Sequence, residues 1–287
     1  MEETSQFYSK REFVKNSINV WDEHLTSDFP IHYHDFSELV VITGGKAMHV
    51  INGTEYSIQS GDVYVIKGNT THGFSQVKNL SLYNISYMEN EPVLEYEYLR
   101  VMSGFQALFF VEPIYRKQLH FKHRLHLNGN EMVFAESLLE IMASEDKGDP
   151  QYDRILRIYL TSFITFLSRQ FEQKSDNSKI TSISDTLAFI EKNYTRQITI
   201  DEMAEMAHLS NRHFIRLFIQ NYGITPKQYI MQLRIRYACR RLEQSAKSIS
   251  DIAFESGFSD TNYFTSCFKN RTGKTPKEYR AGLSGKN

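Results

Sequence analysis

The chain has 287 residues with a formal net charge of −1, and this length predicts two domains. From Thr181 onward there are 16 Lys+Arg and 10 Asp+Glu, a net charge of +6, whereas residues 1–180 have a net charge of −7. This division predicts a nucleic-acid-binding part joined to an acidic part. With only two cysteines, Cys239 and Cys267, no long apolar segment and no signal peptide, the sequence predicts a cytoplasmic protein without disulfides or a membrane span.

From Phe13 to about Leu127 the sequence predicts short antiparallel strands. Runs such as ELVVITGGKAMHVINGTEYSI and LSLYNISYM alternate apolar and polar residues between glycines. Asn52-Gly53 is a hairpin signal, and Gly61 marks another turn. Strands of this length and spacing predict an antiparallel sandwich or barrel, which we place at residues 1–128.

Four ionisable side chains within this region are candidates for a binding site: His32, His34, Glu38 and His72. The first three share parity along a strand, so they face one side of it. Their spacing, with Gly45 downstream and Gly61 eleven residues before the last histidine, resembles the two cupin motifs. In cupins these positions ligate a metal, and imidazole with carboxylate suits a first-row divalent ion. Lys67 and Asn69 depart from the motifs, which usually have proline and glycine there.

Two helices follow, over Glu131–Ala143 and Tyr152–Phe171. The second has two apolar rows at a spacing of four, namely Ile155, Tyr159, Phe163, Leu167 and Phe171, and Leu156, Leu160 and Ile164. So wide a stripe predicts more than one packing partner. We therefore expect residues 129–172 to form a helical dimerisation segment. The alternative is that both faces are buried within one chain. The polar segment 173–182 is expected to be an interdomain linker.

Residues 183–287 contain two copies of one supersecondary unit. The stretch that begins at Thr199 is repeated from Ser248 with an offset of 49, which becomes 50 after one inserted residue. Each copy predicts a capped helix, a turn at His208 or Gly257, and a second helix. This is a helix-turn-helix, whose second helix enters the major groove of DNA. A helical bundle with no DNA role is the alternative, and the matched pair argues against it.

A longer helix from Pro226 to about Leu242 lies between the copies. About 17 residues at ~1.5 Å each form a rod of ~25 Å. Such a rod can hold two recognition helices about one DNA turn apart, ~34 Å.

This tandem resembles the DNA-binding domain of AraC/XylS-type bacterial transcription regulators over roughly Ile183 to Arg280, including the run GFSDTNYF, CFK and TGKTPKEYR. The resemblance implies six base-facing positions: Arg212, Ile215 and Arg216 in the first unit, and Thr261, Asn262 and Ser266 in the second. Three further residues are expected to meet phosphates: Lys269, Asn270 and Arg271. Arginine suits guanine and asparagine suits adenine. Because Ser266 is short where arginine is common, the first unit is expected to dominate specificity.

The β-rich part is similar to the sensor domains of L-rhamnose-type regulators in the same family, through FPIHYHDFSELVVI, HVINGTEYSI, GDVYVI and NLSLYNISY. This resemblance implies a sugar effector near the His32, His34, Glu38 and His72 positions. Trp21, Tyr33 and Tyr64 could stack on a sugar face. Sensor domains of this family often lack the cupin metal, so contacts with a polar effector are favoured over a bound divalent metal. Hydrogen bonding among the four side chains is a third alternative.

The sequence as a whole predicts an α+β protein in two domains, a cupin-like β-barrel with a helical dimerisation segment and an all-α tandem helix-turn-helix domain. The predicted function is a sequence-specific transcription activator that binds double-stranded DNA as a homodimer, contacts RNA polymerase and responds to a sugar such as L-rhamnose. A metal-dependent cupin enzyme fused to DNA-binding helices is the main alternative. No further acid–base pair or nucleophile supports an enzyme. A constitutive architectural DNA-binder is a third hypothesis, in which the pocket is idle.

Overall fold

The computed structural model describes residues 6–8, 16–88, 90–119, 124–174 and 178–284. The chain divides into two compact units, Met1–Ser184 and Asp185–Asn287. Within the described residues, no helix combines the length and the apolar character that a membrane crossing requires.

The first unit is built on one eight-stranded sheet. Its strands are β1 (Gln6–Tyr8), β2 (Ile18–Leu25), β3 (Phe29–His34), β4 (Ser37–Ile51), β5 (Thr54–Gln59), β6 (Asp62–Ile66), β7 (His72–Tyr87) and β8 (Leu125–His126). The hydrogen-bonded order is β1-β3-β7-β4-β6-β8, with β2 also on β7 and β5 also on β4. Among the described strands, every pair is antiparallel except β1 and β3.

Two long strands bend this sheet over itself. β4 has 15 residues and β7 has 16, and they pair along most of their length. Register shifts between Ile42 and Met48 mark bulges, which bend a strand and increase its twist. Gly45 lies in this region with φ +74°, and a Cβ there would be 2.0 Å from the Asn79 carbonyl oxygen. The predicted antiparallel β-domain is confirmed, but among the described strands the hydrogen-bonded path does not close into a barrel.

Residues 92–119 are helical, so the prediction of strands up to Leu127 is wrong there. A 3₁₀ turn (Pro92–Glu95) precedes α1 (Glu97–Arg100), α2 (Ser103–Gln106), a π-helical stretch (Ala107–Val111) and α3 (Glu112–Leu119). The apolar residues Phe105, Leu108 and Phe109 are all buried. Their spacing of three and four is helical, and it outweighs the alternation seen earlier in the chain.

Helices α4 (Gly129–Ser144) and α5 (Tyr152–Lys174) complete the first unit. The two apolar rows predicted on α5 lie mainly inside the first unit. Six of their eight positions are buried, namely Leu156, Leu160, Phe163, Ile164, Leu167 and Phe171, and the other two, Ile155 and Tyr159, are half-buried. Helix α2 is one packing partner of these rows. It crosses α5 so closely at Gly104 that a Cβ there would be 1.8 Å from the Ser168 carbonyl oxygen. The exposed apolar side chains are instead Val133, Phe134 and Ile141 of α4 and Ile158 of α5.

The predicted linker at residues 173–182 is helical at both ends. Helix α5 continues to Lys174, and α6 begins at Ser178 and ends at Asn193. Residues 175–177 lie outside the described residues. The boundary between the two units falls within α6, two residues after the predicted start of the second domain at 183.

The second unit repeats one arrangement of helices. Its helices are α7 (Ile200–Met206), α8 (Asn211–Tyr222), α9 (Pro226–Gln244), α10 (Ile249–Glu255), α11 (Thr261–Thr272) and α12 (Pro276–Ser284). Helices α7 and α10 have seven residues each, and α8 and α11 have twelve each. The offsets of 49 and 50 read from the sequence therefore relate real helices.

Local hydrogen bonds define the ends of these helices as predicted. The hydroxyls of Thr199 and Ser248 accept from the amides of Glu202 and Asp251. The turns pass through residues with positive φ, His208 at 54° and Gly257 at 89°. Ser210 and Asp260 cap α8 and α11, and Gly223 and Gly273 end them in the left-handed conformation.

Helix α9 packs against the second copy. Ile235, Ala238 and Leu242 form a buried cluster with the apolar side chains Ile252, Ala253, Phe258, Phe264 and Phe268. Arg234, which the helical pattern would place facing outward, instead donates to the carbonyl oxygens of Tyr194 and Arg196 at 2.7 and 2.9 Å. These bonds join α9 to the segment after α6.

Candidate functional site

A cavity of about 210 Å³ lies in the first unit, among β2, β3, β4 and β7. Its wall consists of Trp21, Glu23, Phe29, His32, His34, Phe36, Glu38, Val40, His72, Phe74, Leu82, Asn84 and Ser86. The four ionisable residues singled out in the sequence are thus brought together in one wall. The volume is below the ~300–1,000 Å³ of pockets for drug-sized ligands, which favours a small ligand.

The three histidines are buried and close to one another. The ring nitrogens that His32, His34 and His72 can offer lie within 4.8 Å of one another. His34 Nε2 and His72 Nε2 are 3.0 Å apart. Glu38 Oε2 lies 3.4 Å from the first of these nitrogens and 3.6 Å from the second.

Backbone carbonyls orient two of the imidazoles. His34 Nδ1 is 2.6 Å from the Phe36 carbonyl oxygen, and His32 Nδ1 is 3.0 Å from that of Pro30. A carbonyl only accepts, so Nδ1 of each ring bears the proton, and in its neutral form each ring presents a bare Nε2. Burial lowers the pKa of His32, and it lowers the pKa of His72 well below the usual range. The rings of His32 and His72 are therefore neutral at pH 7.

This donor set fits a first-row divalent metal. Bare imidazole nitrogens oriented by carbonyls, with a carboxylate beside them, are what such an ion requires. His32, His34, Glu38 and His72 would hold it. When bound, it would supply a Lewis acid that ligand hydroxyls could coordinate.

Several polar atoms in the wall have no hydrogen-bond partner among the described residues. They are Glu38 Oε2, His72 Nδ1, Asn84 Oδ1 and Ser86 Oγ. A buried polar atom left without a partner costs ~1–3 kcal/mol. With Glu23, Glu38, Asn84, Ser86 and three histidines in its wall, the cavity suits a ligand that offers several hydrogen-bonding groups.

The described residues of the wall include two carboxylates and no lysine or arginine. Glu23, on β2, was not predicted as a site residue. Burial and then the nearby charge of Glu38 raise the pKa of Glu23 to about 7. Near neutral pH this carboxyl is partly protonated and can donate as well as accept a hydrogen bond. A wall of this charge disfavours anionic ligands.

Two of the three predicted aromatic contacts are not part of the wall. Tyr33 has the opposite parity to His32 and His34 on β3, so its side chain lies on the other face of the strand. Trp21 does line the cavity.

Asn84 and Ser86 could not be picked out from the sequence, because this end of β7 is largely buried on both faces and alternation does not reveal which face is inside.

Tyr64 lies in a layer behind the wall. It packs against His49, whose ring stacks on the wall residue Phe74 with centroids 4.5 Å apart. The guanidinium of Arg116 lies 5.3 Å from the centroid of the Tyr64 ring. Arg116 also donates to Glu112 and to the Val65 carbonyl. This layer fixes α3 on the sheet and buries Tyr64 away from the cavity.

The predicted DNA-reading residues lie on α8 and α11. Arg212 and Arg216 are exposed, and Ile215 is half-buried. On α11, Asn262, Ser266, Lys269, Asn270 and Arg271 are exposed, and Thr261 is half-buried. The Thr261 hydroxyl is 3.3 Å from that of Ser250 on α10, so this side chain also joins the two helices of its unit.

One exposed aromatic residue of the second recognition helix was not among the predicted DNA-binding residues. Tyr263, near the start of α11, is 57% exposed. His213 occupies the matching position of α8 and is also exposed. A large exposed side chain at the N-terminal end of both recognition helices is suited to contact DNA. The offset of 50 could have identified this pair.

Sequence comparisons agree with both parts. Residues 22–126 match the family model of the AraC-like ligand binding domain, and residues 203–282 match that of a helix-turn-helix domain. The chain is 28% identical over 262 residues to the HTH-type transcriptional activator RhaS of Escherichia coli O139:H28, covering 90% of each protein. It is 27% identical to RhaS of Shigella sonnei, with the same coverage.

Among solved structures, the C-terminal domain of the two-component response regulator yesN from Fusobacterium nucleatum is 34% identical. That match covers 33% of this chain and 93% of the other, with a TM-score of 0.32. ToxT from Vibrio cholerae is 17% identical over 93% of this chain and 95% of the other, with a TM-score of 0.34.

A ligand-binding β-domain followed by paired helix-turn-helix units defines a DNA-binding transcription regulator. The chain belongs to the AraC family of these regulators.

Proposed function

We propose that this AraC-family regulator is an activator whose effector is a small neutral polyol, such as the deoxyhexose L-rhamnose, bound in the cavity of the first unit. The cluster of His32, His34, Glu38 and His72 in the cavity wall is the observation that supports this most directly. Sugar hydroxyls both donate and accept, so one ligand can satisfy an acceptor carboxylate and a neutral imidazole together.

The charge of the wall narrows the class of ligand. Glu23 and Glu38 would repel a carboxylate or phosphate, and no lysine or arginine among the described wall residues offsets them. Uronic acids, sugar phosphates and fatty acids are therefore poor candidates. The indole of Trp21 offers an apolar face for the C–H side of a sugar ring.

The proposal of activation is supported by the RhaS relatives, which are HTH-type transcriptional activators. As an activator this protein would act on RNA polymerase at a promoter and would therefore work in the cytoplasm with the DNA. We propose that Arg212, Ile215 and Arg216 read bases from the first unit and Thr261, Asn262 and Ser266 from the second. Three residues would bind phosphates: Lys269, Asn270 and Arg271.

A homodimer is the proposed working form. Four apolar side chains on α4 and α5 are 46–63% exposed, namely Val133, Phe134, Ile141 and Ile158. A second copy of the chain would cover them. They replace the buried rows of α5 as the proposed contact.

The effector site is tested by binding and transcription together. Isothermal titration of the full-length protein with L-rhamnose, L-fucose and D-galacturonate should show binding of a neutral sugar and not of the acid. Glu38→Gln and His34→Ala should abolish the sugar-dependent increase of a reporter. Asp35→Asn is the matched charge control, because Asp35 is an exposed carboxylate on the turn between β3 and β4 and is not part of the wall.

DNA binding provides the internal reference, because the substituted residues belong to the first unit. Both variants should retain wild-type affinity for an operator selected in vitro. Unchanged sugar affinity in Glu38→Gln and His34→Ala would place the effector outside this cavity. Preferred binding of galacturonate would refute the charge argument.

A further inference from the structure

Trp21 is shared between the cavity and the turn that joins α4 to α5. Its side chain lines the cavity from β2 and is 36% exposed. Lys147, in that turn, has its Nζ atom 3.6 Å from the centroid of the indole ring. A lysine ammonium within ~6 Å of a tryptophan ring is attracted to the negative face of the π-system.

Among the described residues, Lys147 has no competing ion pair. No carboxylate in that part of the chain lies within salt-bridge distance of its ammonium. Partial burial lowers the pKa of this lysine. The indole is therefore the group that faces its charge.

The start of β2 is also bonded to the same turn and to α5. Asn16 Nδ2 donates to the Lys147 carbonyl oxygen at 3.4 Å, and the Ser17 amide donates to Asp153 Oδ1 at 3.0 Å. Arg157 donates from Nη2 to Ser17 Oγ at 2.9 Å. Movement of the α4–α5 turn thus acts on the strand that holds Trp21.

We propose that Lys147 is a positioning residue for the effector site, which holds the Trp21 indole in the cavity wall and joins effector binding to the α4–α5 helix pair. This rests on the proposed function, since it assigns Trp21 a contact with the effector. The helix pair is the one that carries the exposed apolar side chains Val133, Phe134, Ile141 and Ile158. Effector contact with the indole would therefore act directly on the helices proposed to dimerise.

The contact can be observed without a ligand, because Trp21 is the single tryptophan of the chain. Steady-state fluorescence of the full-length protein then reports on this indole alone. In Lys147→Ala the emission should shift to longer wavelength, and acrylamide should quench it more strongly, because the indole loses its cover. Lys147→Arg should restore both values, since a guanidinium keeps the cation–π contact. Lys78→Ala, at an exposed position of β7, is the matched control.

Titration with L-rhamnose, L-fucose and D-galacturonate, read by the same fluorescence, tests the link to the effector. An exposed cation–π contact of this kind corresponds to about a two- to fivefold change in affinity. Lys147→Ala should weaken binding of the neutral sugar by that factor, and Lys147→Arg should not.

Emission and quenching of Lys147→Ala that match the wild type would overturn the proposal, as would a Lys147→Arg variant that behaves like the alanine variant. If none of the three sugars binds the wild type, the proposed effector class is wrong. The ligand-free comparison then still decides whether Lys147 positions Trp21.

Discussion

The turn of the second helix-turn-helix unit should be intolerant of a single added methyl group. Gly257 has φ +89°, and a Cβ there would lie 2.3 Å from the carbonyl oxygen of Thr195 and 2.8 Å from its Cα. The left-handed backbone costs an L-residue ~1–2 kcal/mol. The clash is with backbone atoms, which cannot rotate away as a side chain can, and forced overpacking costs ~1–3 kcal/mol more. Gly257→Ala should therefore destabilise the second unit by about 2–5 kcal/mol.

Gly273→Ala is the matched control for this prediction. Its φ is +77°, but nothing in the described part of the chain lies within 4 Å of the added Cβ. Only the backbone cost applies there, about 1–2 kcal/mol. The two variants thus share the conformational cost and differ in the clash.

The assay is thermal unfolding of the full-length protein, followed in parallel by circular dichroism and by Trp21 fluorescence. Trp21 lies in the first unit, so its transition should be unchanged while the helical transition of Gly257→Ala moves down. Affinity for a selected operator should fall with it. Equal destabilisation by Gly257→Ala and Gly273→Ala would refute the role assigned to the contact with Thr195.

Four other predictions can be checked independently. Arg216→Ala should cost ~1–3 kcal/mol of discrimination between operator and random DNA in anisotropy titrations. Lys269→Ala should instead weaken binding to all DNA sequences alike and lower the slope of log affinity against log salt by about one. Ile158→Glu should give a folded monomer with weaker operator binding; a wild type that sediments as a monomer at micromolar concentration would contradict this. Removal of divalent metal with EDTA should leave the sugar response intact. If EDTA instead abolishes the response and one added metal restores it, His32, His34, Glu38 and His72 are ligands of that metal. The pKa of Glu23 is about 7 in the folded protein and 4.5 as a free side chain, so the stability that this carboxyl contributes should be lost as pH rises from 4.5 through 7. The lowered pKa values of His32 and His72 contribute in the opposite direction, because the folded state then binds fewer protons at these rings. Melts of the wild type and Glu23→Gln followed by Trp21 fluorescence isolate the carboxyl: the stability difference between the two should shrink as pH rises through 7.

The sequence by itself determined the DNA-binding unit almost completely. Its helix caps and turns depend on residues three or four positions apart, as in Thr199 with Glu202 and Ser248 with Asp251. Such hydrogen bonds form within one helical turn, so the pattern that encodes them is visible in the chain. The duplication added a second, independent copy of the same signals.

Strand parity correctly placed His32 and His34 on one face of β3. Glu38 was expected on the same strand but lies on β4, and it is the bend of the chain between the two strands that brings it to the histidines. Their role as an effector site stays a prediction. Parity equally requires Tyr33 to face the other way, so its side chain lies outside the cavity wall and the predicted stacking on the effector is not met there.

Only the tertiary structure decided which apolar surface is covered and which polar residue faces the cavity. The rows on α5 that suggested a second chain are buried within the first unit at six of their eight positions, and Ile158 is exposed instead. Glu23 enters the wall because β2 pairs with β7, and Lys147 reaches Trp21 across more than a hundred residues of sequence. An apolar stripe shows that a helix needs a partner but not which partner it has. That choice rests on contacts between distant segments, which form only when the sheet bends and the helices pack on it.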